Sequence, residues 1–244
     1  MAVFVIVHGA WSGAHAWRWV RPLLRAAGHE VVTPSLTGLG ERAHLATPAT
    51  NLDTHVTDVV ATLHFEDLSE VVLVGHSYGG MVITGVADRV PERIAHLVYL
   101  DADVPLDGQS ELDLVPADER AGYEEAARTR GDGWQVPPPF PDPLPPELPA
   151  EVVWAIARMV PHPLATMTQP LRLANPALAL PRTYIHCTEN KDGEPVPPHL
   201  DRVRTDPSWQ FVELAAGHTA HVTAPEKLTA TLLRIATAVP TPAA

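Results

Sequence analysis

The pentapeptide Gly75-His76-Ser77-Tyr78-Gly79 follows directly on the apolar, β-branched run Val71-Val72-Leu73-Val74 and opens a helix-compatible stretch from Gly80 to Arg89. A serine at the apex of such a strand–turn–helix unit constrains the chain severely. The turn is so tight that the residues two before and two after the serine must be small, or their Cβ atoms would strike the neighbouring strand and helix. The serine itself is held in a strained conformation with its hydroxyl raised above the strand end. Gly-x-Ser-x-Gly alone arises by chance in roughly 0.1 copies in a chain of this length. The strand before it, the helix after it and the partners described below make it specific.

Around this unit, strand-like and helix-like runs alternate. Ala2 to Val7 reads as a strand, Trp17 to Ala27 as a helix, Glu30 to Thr33 as a strand, and Leu52 to Leu63 as a helix with Leu52, Val56, Val59, Val60 and Leu63 on one face. Further strands are expected at Ile94–Leu100, Thr183–Cys187 and Phe211–Leu214, with a last helix near Pro225 to Ala236. Apolar strands alternating with helices imply an α/β fold: a mostly parallel sheet of about six strands covered on both faces. The alternation breaks at residues 104–176, where helix-like pieces (Ala117 to Arg130, Glu147 to Val160) flank a proline cluster spanning 137–146. The apolar mass of Trp134, Trp154, Ile156, Met159 and Met167 there exceeds what a linker needs, so 104–176 reads as a small helical cap inserted into a core made of 1–103 and 177–244.

The net charge of −12 argues against a nucleic-acid partner. A single cysteine, Cys187, excludes an intrachain disulfide and reads as a buried core thiol. No stretch is long enough to span a bilayer, and Ala2 to Val7 is too short for a signal segment, so the cytoplasm is the expected location, without membrane association. Lysine supplies only Lys191 and Lys227 of 17 basic residues, a bias that with abundant Ala and Pro points to a GC-rich bacterial source.

A serine hydroxyl needs a base to take its proton. Of 13 histidines, His218 is placed for this, just after the strand ending at Leu214 and just before the last helix. His218-x-x-His221 lacks the Glu of a zincin helix and a third ligand, so no metal is expected. The oxyanion of a tetrahedral intermediate needs two donors. They are assigned to the backbone N–H of Tyr78 and that of Ala10, in the loop His8-Gly9-Ala10-Trp11 after the first strand. His8 and His76 read as structural.

The segments His8 to Trp17, Gly75 to Gly80, Tyr184 to Asn190, and Gly217-His218 followed by Ala224 to Leu228 together resemble the α/β-hydrolase group of plant methyl esterases and hydroxynitrile lyases and bacterial carboxylesterases of the same build. The resemblance spans the chain and is weakest in the cap. It implies the α/β-hydrolase fold and a Ser–acid–His triad in that chain order. The acid departs from the plant pattern: Asn190, 28 residues before His218, stands where those members carry aspartate. An asparagine does not stabilise an imidazolium as a carboxylate does. Two replacements are open, Asp192 in the same loop and Asp101 at the end of the strand Ile94–Leu100, the position some lipases and haloalkane dehalogenases resemble; Asp101 is favoured.

The expected activity is hydrolysis of small apolar or aromatic carboxylic esters through an acyl-serine, with no cofactor. Hydroxynitrile lyase is the nearest alternative. Resemblance to lyases would require Thr in the first-strand turn and Lys directly after the histidine; Gly9 and Thr219 stand there. A thioesterase or cyclase of secondary metabolism and a non-catalytic ligand-binding protein on the same scaffold are the others. Expected pocket walls are Trp11, Tyr78, Leu106, Trp134, Trp154 and Met159. The expected partner is a small-molecule ester, and a homodimer is left open.

Overall fold

Successive residues of a strand face opposite sides of a sheet, and the first strand divides the core accordingly. Phe4 and Ile6 pack into one buried cluster with Trp17, Val20, Leu24, Leu228 and Leu232, whereas Val5 and Val7 join Val56, Val59, Met81 and Val82 in the other. A strand buried on both faces must be apolar throughout, which is why these strands read as continuous runs rather than alternations. Each fully buried Val, Leu or Ile contributes about 1.5–3 kcal/mol.

The computed structural model describes residues 1–175, 180–189 and 197–238. Its strands in chain order are β1 (Val3–Val7), β2 (Glu30–Val32), β3 (Val71–His76), β4 (Ile94–Leu100), β5 (Gln135–Val136), β6 (His162–Pro163), β7 (Arg182–Cys187) and β8 (Gln210–Leu214). The helices are α1 (Val20–Ala26), α2 (Leu52–Phe65), α3 (Gly79–Arg89), α4 (Ala117–Arg130), α5 (Ala150–Ile156), α6 (Leu164–Thr168), α7 (Leu200–Thr205), α8 (Ala220–Thr223) and α9 (Pro225–Ala238). Six strands form one sheet in the order β2-β1-β3-β4-β7-β8, and every neighbouring pair is parallel. Helices α1 and α9 cover one face; α2 and α3 cover the other. This is the α/β-hydrolase architecture.

Strand order reverses between β1 and β3, so the loops after these two strands diverge and leave a crevice at the carboxyl edge. The chain between β4 and β7 carries α4, α5, α6 and an antiparallel pair, β5–β6, in which Val136 faces His162. Helix α2 starts where Asn51 Oδ1 accepts from the Thr54 N–H at 3.0 Å and Thr54 Oγ1 accepts from the Asn51 N–H at 3.3 Å, a reciprocal cap. Among the described residues no helix is long and apolar enough to cross a membrane.

Candidate active site

Among the described residues six non-glycine residues have φ in the left-handed region, and three of them, Trp11 (58°), Ser77 (53°) and Asp101 (43°), line a single cavity. Such conformations cost about 1–3 kcal/mol each and persist only where the surroundings enforce them. At Ser77 the enforcement is steric. A Cβ on Gly75 would lie 2.6 Å from the Gly79 carbonyl oxygen, one on Gly79 2.8 Å from that of Val7, and one on Gly80 2.0 Å from that of Asp103. The small residues therefore let β3 turn into α3 against β1 and the chain leaving β4. The Ser77 N–H donates to the Leu100 carbonyl at 3.3 Å, and the Ser77 carbonyl accepts from Asp103 N–H at 3.2 Å. The turn is thereby tied to the end of β4.

That tie places Asp101 beside the serine. The Asp101 N–H continues the β4–β7 ladder by donating to Ile185 at 2.8 Å. Its carboxyl, 3% exposed, accepts from Cys187 N–H through Oδ1 at 3.2 Å, while Oδ2 lies 2.8 Å from Nδ1 of His218. With the proton on Nδ1, the Nε2 lone pair of His218 is free to act as a base. The His218 carbonyl accepts from Nε2 of His76 at 2.9 Å, so the histidine within the turn anchors the loop bearing the other. Burial holds His76 well below the usual histidine range. His221 is also buried, stacks on Trp17 with centroids 4.7 Å apart, and is lowered by burial to about 3. Ser77 and His218 line the same cavity.

The loop after β1 is clamped from two sides. His8 donates through Nδ1 to the Gly9 carbonyl at 2.9 Å and accepts from Leu36 N–H at Nε2, 3.1 Å away. Burial lowers it to about 4, so it is neutral, as that pattern requires. From the other side, the Trp11 N–H donates to Nδ1 of His162 at 3.2 Å, the Trp11 indole donates to the Val136 carbonyl at 2.8 Å, and the Trp11 carbonyl accepts from Val160 N–H at 2.9 Å. Nε2 of His162 donates to Thr166 Oγ1 at 2.6 Å. The amides of Trp11 and Ser77 are thus used within the chain, while those of Ala10 and Tyr78 donate to no group among the described residues. The Tyr78 hydroxyl points into the protein, donating to Nδ1 of His55 at 2.8 Å.

The cavity measures about 640 Å³, a size suited to a small organic ligand. Trp11 lines it, together with Tyr123, Phe140 and Tyr184. Trp134, Trp154, Met159 and Leu106 do not. The Trp134 carbonyl instead closes the β5–β6 pair by accepting from Leu164 N–H. Trp154 lies between the guanidinium groups of Arg18 and Arg158, 4.6 and 4.1 Å from its centroid, a use of aromatic mass at the surface that apolarity alone does not reveal. Leu106 borders a smaller cavity elsewhere, and Tyr78 contributes no side chain to the larger one. Asn190 and Asp192 lie outside the described residues. Sequence reading passed over His162, whose signal was its place between two prolines, and over Asp103 and Glu111, which line the cavity as well.

His162 reaches the site through Trp11 and through the Tyr78 ring, which it meets edge to face with centroids 4.9 Å apart. Replacing it by phenylalanine keeps a ring but removes the acceptor from the part-buried Trp11 N–H, a loss of about 1–3 kcal/mol. Steady-state kinetics of His162→Phe should show kcat lowered by about tenfold to a hundredfold, with KM little changed.

A parallel sheet wound on both sides, with a strained serine at the strand-to-helix turn and a histidine–aspartate pair beside it, defines a class. The chain belongs to the alpha/beta hydrolase family, whose model it matches over residues 4–231. It is 40% identical over 240 residues to the carbendazim hydrolyzing esterase of Nocardioides sp. (strain SG-4G), covering 93% of this chain and 97% of that protein. It is 28% identical over 261 residues to salicylic acid-binding protein 2 of Nicotiana tabacum, covering 96% of each. Its fold is similar, at a TM-score of 0.81 and 26% identity, to an extracellular alpha/beta-hydrolase from a Paenibacillus species, with 96% and 98% of the two chains aligned. The chain is an enzyme of the carboxylesterase type.

Proposed function

We propose that this enzyme cleaves carboxylic esters of small apolar or aromatic compounds through an acyl-serine intermediate. Ser77 is the nucleophile, His218 the base and Asp101 the acid, and the amides of Ala10 and Tyr78 receive the oxyanion. The observation that carries this reading is the 2.8 Å contact between His218 Nδ1 and Asp101 Oδ2 at the wall of the cavity that Ser77 also lines.

Nε2 of His218 takes the Ser77 hydroxyl proton as Oγ attacks the ester carbonyl, and the C=O electron pair moves onto oxygen. The two amides stabilise that charge. Collapse expels the alcohol, which receives the proton from Nε2 and leaves the acyl group on Oγ. A water then repeats the sequence: His218 takes its proton, the new tetrahedral species collapses, and Ser77 regains its hydrogen as the acid departs. Asp101 stays ionised throughout and stabilises the imidazolium. Aromatic walls at Trp11, Tyr123, Phe140 and Tyr184 favour an aromatic or compact apolar group. Carbendazim, named for the Nocardioides relative, is the first specific substrate to try.

The test is a p-nitrophenyl ester series from acetate to decanoate, combined with labelling by a fluorophosphonate. Hydrolysis of the short esters, declining as the acyl chain outgrows the cavity, and a phosphonate adduct mapped to Ser77 are expected. Inertness toward every ester, with no adduct at Ser77, would overturn the proposal.

A further inference from the structure

We propose that the cavity beside Ser77 contains a subsite for a nitrogen-bearing group of the substrate, an amine, amidine or amino-heterocycle, whose N–H donors are taken by Glu111 and Asp103. This deepens the esterase reading and rests on it for the reacting end of the substrate.

Glu111 is the primary observation. It is only 7% exposed, lines the cavity, and its Oε2 is buried with no hydrogen-bond partner among the described residues. Buried carboxyl groups are almost always hydrogen-bonded, and an exception calls for an explanation. Its position is not loose. A short 3₁₀ turn, Glu111–Asp113, is closed by Ser110, whose N–H and hydroxyl both donate to Asp113 Oδ2 at 2.9 and 2.7 Å. The turn thus fixes Glu111 in the cavity wall while its neighbours satisfy one another.

Asp103 lines the same wall, two residues beyond Asp101, and its N–H is bonded to the Ser77 carbonyl. Glu119 lies close by and is already engaged, accepting from the Tyr123 hydroxyl at 2.5 Å. No lysine or arginine lines the cavity among the described residues. Burial, with repulsion from neighbouring carboxylates adding to it (Glu119 and Asp101 on Asp103; Asp103 and Glu119 on Glu111), raises Asp103 to about 6 and holds Glu111 well above the usual carboxylate range. At neutral pH Asp103 is ionised, while Glu111 keeps its proton until a cation or N–H donor displaces it, so the pair favours a ligand that brings N–H donors or positive charge, and the ionised Asp103 repels an anion. The faces of Tyr123, Phe140 and Tyr184 suit a planar cation as well. A carboxylate-bearing ligand such as salicylate therefore fits this cavity poorly.

The probes are benzamidine, a planar cation with N–H donors, and benzoate, an anion of nearly the same shape. Calorimetry on the wild-type protein should give benzamidine at least a tenfold tighter Kd than benzoate. Glu111→Gln and Asp103→Asn should each weaken benzamidine by about tenfold to a hundredfold, the range for a hydrogen bond to a charged group. Equal binding of the two probes, or benzamidine binding unchanged in both variants, would overturn the subsite. Running the p-nitrophenyl ester assay on the same preparation separates the two readings. Ester cleavage with unselective probe binding removes the subsite alone. Selective benzamidine binding without ester cleavage supports the subsite and removes the esterase reading.

Discussion

Ser77→Ala should lower kcat for p-nitrophenyl acetate by about 10⁶-fold, the loss expected when the nucleophile of an acyl-serine mechanism is deleted. The residual rate, about 10³- to 10⁴-fold above water, would come from binding and the oxyanion donors alone. The variant should fold normally. Alanine is smaller than serine and keeps the same backbone demand at φ 53°, and the bonds that hold the turn run through the Ser77 N–H and carbonyl, not through its hydroxyl. Thermal unfolding within a few degrees of wild type (about 1 kcal/mol or less for a surface-type change), measured beside the rate, separates lost chemistry from lost structure. A variant that keeps its rate would show that Ser77 is not the nucleophile.

Asp101→Asn should lower kcat by about 10⁴-fold. The direction follows from the second contact of the carboxyl. Oδ1 accepts from Cys187 N–H at 3.2 Å, so an asparagine at 101 keeps its carbonyl oxygen on that amide and turns its NH₂ toward His218. Nδ1 of His218 then becomes the acceptor and the proton sits on Nε2, the nitrogen that must take the proton from serine. Asp192→Asn is the paired control. Full activity in Asp101→Asn together with its loss in Asp192→Asn would move the acid to residue 192.

The serine turn between β3 and α3 was legible in sequence because its determinants are local: a β-branched strand, glycines at fixed offsets and a following helix all lie within twenty residues. The parallel sheet was legible for a related reason, since strands buried on both faces must be apolar without alternation. The pairing of His218 with an acid was less so. Asp101 lies 117 residues from His218 in the chain, and the 2.8 Å between them arises from β4 and the loop after β8 meeting at one sheet edge. The walls of the cavity were read poorly. Trp134, Trp154 and Met159 are apolar in the segment between β4 and β7, but which way they face depends on packing between segments. Trp154 spends its ring on two arginines.

The chain alone therefore specifies the strand-to-helix turn at Ser77, the α/β alternation and the candidate base at His218, because steric and periodic demands act over a few residues. The setting of Asp101, the clamp of His162 on Trp11 and the burial of Glu111 in the cavity wall, its Oε2 without a hydrogen-bond partner among the described residues, emerge only on folding. Each depends on which backbone groups are buried and which donors arrive from distant segments, and burial and partnership are properties of the assembled core rather than of any local run of residues.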